Sequence, residues 1–144
     1  ANDIWGRTGA ESAKAADPWP LNPDGELILG LKIEDRFCLE NVDEIVEVPG
    51  IGFAEWGPGD MGMSLGHPDA HDPPYPQEMN DARDKIAAAL KRKDIGFYAS
   101  WADDKMTMEQ RVDYSIDVVG VKMMGATEEW AAYGRKKTGR TMPV

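Results

Sequence analysis

Ile51-Gly52-Phe53-Ala54-Glu55-Trp56, followed at once by Gly57-Pro58-Gly59-Asp60, is the stretch that decides the fold. The first six residues make an apolar, aromatic run of strand length, and two glycines around a proline end it abruptly. A second strand-length run, Leu27-Ile28-Leu29-Gly30-Leu31-Lys32-Ile33, lies upstream, after the loop Asp17 to Gly25, whose three prolines oppose a helix. Between the two runs, Asn41 is placed to cap a helix over Val42 to Val48, stopped by Pro49-Gly50. Downstream comes a long loop with Pro68, Pro73, Pro74 and Pro76. Then Met79, Ala82, Ile86, Ala89 and Leu90 recur at helical spacing, ending near Lys93-Asp94. Ile95 to Ser100 reads as a strand, Thr107 to Ser115 as a helix, and Val118 to Met123 as a strand. Thr127 opens a last helix that ends near Gly139, and Glu11 to Ala16 predicts a helix before the first strand.

Alternation of this kind argues for a parallel sheet with crossover helices, whose strands lack polar alternation because both faces are buried. A doubly wound sheet of four strands fits 144 residues, whereas a whole (β/α)8 barrel, at roughly 200 to 250 residues, does not. No repeat, linker or low-complexity segment divides the chain.

The 26 acids and 16 bases leave a net charge of -10, which opposes a nucleic-acid backbone as partner. Lys and Arg cluster only in Lys91-Arg92-Lys93 and Arg135-Lys136-Lys137, where helices end and cations complement the helix dipole. No apolar stretch is long enough to cross a membrane, so no membrane partner is expected. Cys38 is the single cysteine, which excludes an intrachain disulfide and a Cys-rich zinc site and favours a reducing, cytoplasmic setting. The first residues carry no signal-peptide pattern. Ala1 in place of an initiator Met fits either Met removal or a chain that starts mid-protein.

In parallel α/β folds, functional groups gather at the carboxyl ends of strands. Those ends hold Lys32 and Glu34, Gly57 to Asp60, Ser100 and Trp101, and Met123 to Gly125. Glu34 and Asp60 end separate strands, so both can converge on one rim. Two hard carboxylates with open neighbouring positions suit Mg²⁺ or Mn²⁺, with water and substrate oxygens completing the octahedron. The competing reading is that such acids cap the next helix. Gly57-Pro58-Gly59-Asp60-Met61-Gly62 formally matches a dinucleotide fingerprint, against which stand Pro58 and Asp60 inside the turn and a next clear helix only near Pro76. Gly59 and Asp60 serve better as backbone amides facing a substrate carboxylate.

Lys32 and Glu34 point to one side of their strand. Lys32 is either a Schiff-base former or a cationic partner for Glu34 or substrate, and Lys122 carries the same two readings. His67 and His71 flank Asp69 in a proline-rich loop and read as surface histidines, since Pro68 opposes the helix on which an i, i+4 pair binds metal well. Trp56 and Trp101 either wall a pocket or pack in the core.

Leu31-Lys32-Ile33-Glu34, Asn41 to Ile45, Val48 to Ile51, Gly57-Pro58-Gly59-Asp60 and Ser64-Leu65-Gly66 together resemble the HpcH/HpaI aldolases. The resemblance covers nearly the whole chain, and its specific part is Ile-Glu followed, with Asp60 26 positions after Glu34, by Gly-Pro-x-Asp. Ala16 to Pro23 with Lys32 looks closest to the macrophomate synthase branch. The resemblance implies a (β/α)8 (TIM) barrel, with residues 1–144 its last four β/α units, a single C-terminal half-barrel domain. It implies a metal-dependent carbon–carbon lyase acting beside pyruvate or another 2-oxo acid through a stabilised enolate, with an aldehyde as second substrate. Glu34 and Asp60 match the metal ligands (Mg²⁺ or Mn²⁺, with Co²⁺ possible), and Gly59 and Asp60 the amides that hold the pyruvate carboxylate. Lys32, as substrate-binding or catalytic residue, stands where many members have a substrate-contacting Gln. The family's catalytic Arg and His come from the first half of the barrel. A homo-oligomer is expected, hexameric in related proteins. Within the fold, an oxaloacetate decarboxylase or CoA-ester lyase is the alternative. For the half barrel alone, a non-catalytic assembly module is another.

Overall fold

A computed structural model describes residues 6–99 and 103–141. Helix α1 (Gly9–Ala15) opens on Thr8, whose hydroxyl accepts from the Glu11 amide while the Glu11 carboxylate accepts from the Thr8 amide. Four parallel strands follow: β1 (Pro18–Trp19), β2 (Leu27–Lys32), β3 (Ile51–Trp56) and β4 (Gly96–Ala99). Their spatial order is their chain order, β1-β2-β3-β4. A doubly wound sheet reverses direction at a switch point; this one advances steadily in one direction, as barrel strands do, so the doubly wound expectation is corrected.

Helices α2 (Arg36–Glu40) and α3 (Val42–Ile45) replace the single helix expected from Val42 to Val48. Asp35, not Asn41, is the capping residue: its carboxylate accepts from the amides of Phe37 at 2.8 Å and Cys38 at 2.9 Å. Asn41 turns its amide back to the Phe37 carbonyl at 2.8 Å and makes no side-chain cap. Helix α4 (Pro58–Leu65) springs directly from β3, with proline at its first position and Gly66 in the left-handed region, φ 85°, at its end. The sequence reading placed no helix there.

Helix α5 (Gln77–Arg92) packs the expected stripe of Met79, Ala82, Ile86, Ala89 and Leu90 into the core against Ile33, Val42, Ala54, Trp56, Met61 and Phe97. Met79, Ile86 and Leu90, fully buried, are each worth about 1.5–3 kcal/mol relative to exposure. Lys91 and Arg92 do sit in the last turn of α5. Arg92 pairs with Asp43, and Lys93 reaches Glu47 at 2.6 Å, which ties α5 to the α3 segment.

Helix α6 (Met108–Tyr114), capped by Thr107, continues as a π-helical turn over Ser115–Val119 until Gly120 ends it at φ 78°. That turn absorbs Val118 and Val119, so the strand expected from Val118 to Met123 is reduced to one parallel bridge between Tyr98 and Met123. Helix α7 (Glu128–Thr138) closes the described chain, capped by Thr127 and carrying Arg135, Lys136 and Lys137 in its last turn. None of the described helices is long and apolar enough to cross a membrane.

The expectation of strands buried on both faces holds for β4 and much of β3 but not for β2. Leu27, Ile28 and Leu29 are 53%, 56% and 43% exposed, and Trp19 and Leu21 lie exposed in the preceding segment. Though β2 is paired on both sides, these side chains form an exposed apolar patch.

Candidate functional site

Lys32 ends β2, and the Ile33 amide continues the ladder to the Glu55 carbonyl at 2.9 Å. Ile33 turns into the core, so strand alternation brings Glu34 to the face that carries Lys32. The Glu34 side chain is only 13% exposed, and Lys32 Nζ lies 3.0 Å from its Oε2. Its Oε1 rests against Gly57, where an added Cβ would stand 2.0 Å away. The glycine at the end of β3 is therefore the seat of the Glu34 carboxylate.

Asp60 enters from the first turn of α4. The first hydrogen bond recorded for that helix runs from the Met61 amide to the Gly57 carbonyl, at 3.1 Å. The Gly59 and Asp60 amides precede it and belong to the set that a helix start leaves without intrahelical partners. Lys32, Glu34, Glu55, Gly57 to Asp60 and His71 all border one cleft of about 410 Å³. A groove of about 460 Å³ between α6 and α7 is larger but is lined by no carboxylate; the acids converge on the smaller one.

The hydrogen bond and charge of Glu34, with smaller contributions from Glu55 and Asp60, push the Lys32 ammonium above the ordinary lysine range. That favours the cationic-partner reading of Lys32 over the Schiff-base one, because attack on a carbonyl needs the neutral amine. The donor set fits a hard divalent cation: two carboxylates from successive strand ends, one already drawing a cationic group. Among the described residues, no three His, Cys, Asp or Glu side chains are grouped to hold one ion. Glu34 and Asp60 would thus leave most of the coordination sphere to water and substrate oxygens.

Asp35, not Glu34, does the capping that was the rival reading of the strand-end acids. Asp60 does occupy the first turn of α4, where its charge also suits the helix dipole. Lys122 pairs with Asp94, which precedes β4, and so lies away from the cleft. Trp56 is core, fully buried and edge-on to Tyr75 with ring centroids 5.4 Å apart. Ser100 and Trp101 lie outside the described residues. The dinucleotide reading loses its second fault, since α4 follows the turn directly, but keeps the first: Asp60 sits in that helix's first turn. His67 hydrogen-bonds Glu78 at 3.0 Å. His71 is the surface loop residue expected, its side chain 71% exposed, and it also borders the cleft; its proximity to Gly59 is a tertiary contact that no spacing rule signals.

The family described as HpcH/HpaI aldolase/citrate lyase matches residues 14–125. The chain belongs to this family. All the residues converging on the cleft fall inside that match. Among curated relatives, a 2-keto-3-deoxy-L-rhamnonate aldolase of Klebsiella pneumoniae is 38% identical over 96 residues, 66% of this chain and 32% of that protein. A Salmonella schwarzengrund protein of the same name is 37% identical over 79 residues, 51% of this chain and 30% of its own length. The chain thus spans about a third of the length of these relatives. Their name differs from the macrophomate synthase branch suggested by Ala16 to Pro23. Solved HpcH/HpaI structures share the fold. A Desulfitobacterium hafniense HpcH/HpaI aldolase superposes with TM-score 0.59 at 20% identity, covering 95% of this chain and 54% of its own. A Burkholderia xenovorans citrate lyase gives TM-score 0.63 at 15% identity, covering 75% and 37%.

Gly57→Ala tests the seat of Glu34. The new methyl would stand 2.0 Å from Oε1, so the carboxylate must leave. Mn²⁺ affinity measured by calorimetry should fall about 10- to 100-fold, the range for a misplaced ligand support, while circular dichroism stays that of the parent.

Proposed function

We propose that these residues form the metal- and pyruvate-binding half of a (β/α)8-barrel aldolase, the last four of its β/α units. The reaction makes or breaks the carbon–carbon bond beside a 2-oxo acid, with an aldehyde as the other product. The observation that carries this reading is the shared cleft. Glu34 from the end of β2 and Asp60 from the start of α4 face one space with the amides of Gly59 and Asp60. Family membership and the aldolase names of the curated relatives support it.

In this reading Glu34 and Asp60 hold a divalent cation, Mg²⁺ or Mn²⁺ by donor chemistry. When bound, the ion supplies Lewis acidity toward the oxygens of the 2-oxo acid. The residues of the chain do the rest. Gly57 keeps Glu34 in place, the Gly59 and Asp60 amides orient the substrate carboxylate, and Lys32 balances the acids without acting as a nucleophile. In this reading the exposed apolar residues of β2 are covered by further barrel elements or by another copy of the protein. A lone cysteine fits a reducing, cytoplasmic setting.

Three measurements test these assignments. Glu34→Gln and Asp60→Asn, each in the whole protein that carries these residues, should remove Mn²⁺ or Mg²⁺ dependence; full metal affinity and activity in Asp60→Asn would overturn the ligand pair. Borohydride added with pyruvate should leave Lys32 unlabelled, and EDTA should stop turnover; a pyruvyl adduct on Lys32 with EDTA harmless would reverse the mechanism class. Residues 1–144 alone should release pyruvate on the order of 10² to 10⁴ more slowly than the whole protein, since an acid–base group and a cation of the other half are missing. Light scattering on the same sample should show self-association. A monodisperse monomer with near-native turnover would sink the half-barrel assignment.

A further inference from the structure

The loop between α4 and α5 is tied down at several points. The His67 amide bonds the Gly62 carbonyl at 2.7 Å, and Gly62 has no side chain to keep the His67 carbonyl away. The Ala70 amide bonds the His67 carbonyl at 3.0 Å, and the His67 ring reaches Glu78 on α5 at 3.0 Å. The Tyr75 hydroxyl donates to the His71 carbonyl at 3.2 Å, and the Tyr75 ring abuts the buried Trp56. Asn80 of α5 donates to the Tyr75 carbonyl at 3.2 Å. These contacts carry His71 over the start of α4.

There the His71 ring lies against Gly59. A Cβ on that glycine would stand 2.9 Å from the ring's Cδ2 and 3.6 Å from its Nε2. On its other edge, Nδ1 lies 2.9 Å from Asp72 Oδ2. A carboxylate at Nδ1 accepts that N–H, so Nε2 is the ring atom left to meet a ligand.

The charges bordering the cleft make that position matter. Glu34, Glu55 and Asp60 line it, and Lys32, its one permanent cation, already lies on Glu34. A carboxylate substrate entering this space meets three acids. His71 is the other basic side chain among the described residues lining the cleft. Asp72, which meets Nδ1, is not among the lining residues.

We propose that His71, oriented by Asp72, is a specificity-determining residue of this cleft. Its Nε2–H donates to the carboxylate of the 2-oxo acid beside the Gly59 amide. Asp72 holds the Nδ1 edge of the ring while Nε2 meets the substrate. The assignment rests on the 2-oxo acid reading above and adds a residue to it. The glycine at position 59 acquires a second reason: a side chain there would push the ring off the site.

The test uses the whole protein loaded with Mn²⁺, oxalate as the dianion probe for calorimetry, and pyruvate against methyl pyruvate for kinetics. His71→Leu should weaken oxalate binding about tenfold or more, the scale of one hydrogen bond to a charged group. His71→Gln, which keeps a donor near the Nε2 position, should fall between. The loss should appear in KM for pyruvate-forming substrates more than in kcat. It should be absent with the neutral methyl ester, and Mn²⁺ affinity should not change. Equal oxalate affinity in His71→Leu and parent overturns the proposal, as does a parallel loss of Mn²⁺ binding, which would make His71 a support of the metal site. If the parent itself binds neither Mn²⁺ nor oxalate, the 2-oxo acid reading fails first and this one with it.

Discussion

The carboxylate of Glu34 lies where Gly57 has no side chain, and the remaining geometry of the cleft depends on that contact. It locks the end of β2 against the end of β3. The parallel register of Lys32 with Glu55, and the Ile33 amide on the Glu55 carbonyl at 2.9 Å, set the height at which Glu34 emerges. Strand alternation leaves little freedom here. A slip of one residue would send Glu34 into the core and Ile33 into the cleft, exchanging a buried aliphatic for a buried charge. The glycine and the register enforce one another.

Behind the cleft the support is apolar. Ala54 and Trp56 of β3, Phe97 of β4 and the buried stripe of α5 form one cluster with Ile33 and Met61. Met61 follows Asp60 by one residue and is fully buried, so α4 is nailed to the core beside the acid it presents. Trp56 does the same for the loop: its buried ring receives Tyr75, and Tyr75 fixes the backbone of His71. Both flanks of the Gly57-Pro58-Gly59 turn are therefore positioned by side chains that never meet the cleft. A site that must hold charges at fixed distances needs this kind of rigid backing.

The sequence carried much of this. Apolar runs and helical spacing located β2, β3, β4 and α5, and the Ile-Glu and Gly-Pro-x-Asp motifs located the two acids. The failures have physical causes. Helix α4 is eight residues long and glycine-rich, so its apolar spacing is weak; its signals were Pro58 at the first position and Gly66 after the last. Residues Val118 and Val119 read as strand because they are β-branched, but α6 overruns them in a wider π turn. Asp35 and Asn41 both bear good caps, and only the backbone shows that the first one acts. Leu27 to Leu29 read as buried because they are apolar, and burial depends on what lies outside the run. His71 was invisible because a proline-rich loop has no periodicity from which to project a side chain back onto α4.

The charges of the cleft also suggest an order of events within the proposed function. Glu34, Glu55 and Asp60 against Lys32 leave the lining two negative charges in excess before any ligand arrives. An anionic 2-oxo acid would be repelled from such a space, and one divalent cation would bring it to balance. On the proposed function, a cation held by Glu34 and Asp60 would therefore have to precede the substrate on electrostatic grounds. Glu34 would then be shared between that cation and the Lys32 ammonium, whose Nζ lies 3.0 Å from its Oε2. A lysine at position 32 supplies a charge where a Gln would supply an amide. In a cleft with excess acid, that charge pairs with Glu34 and offsets part of the excess.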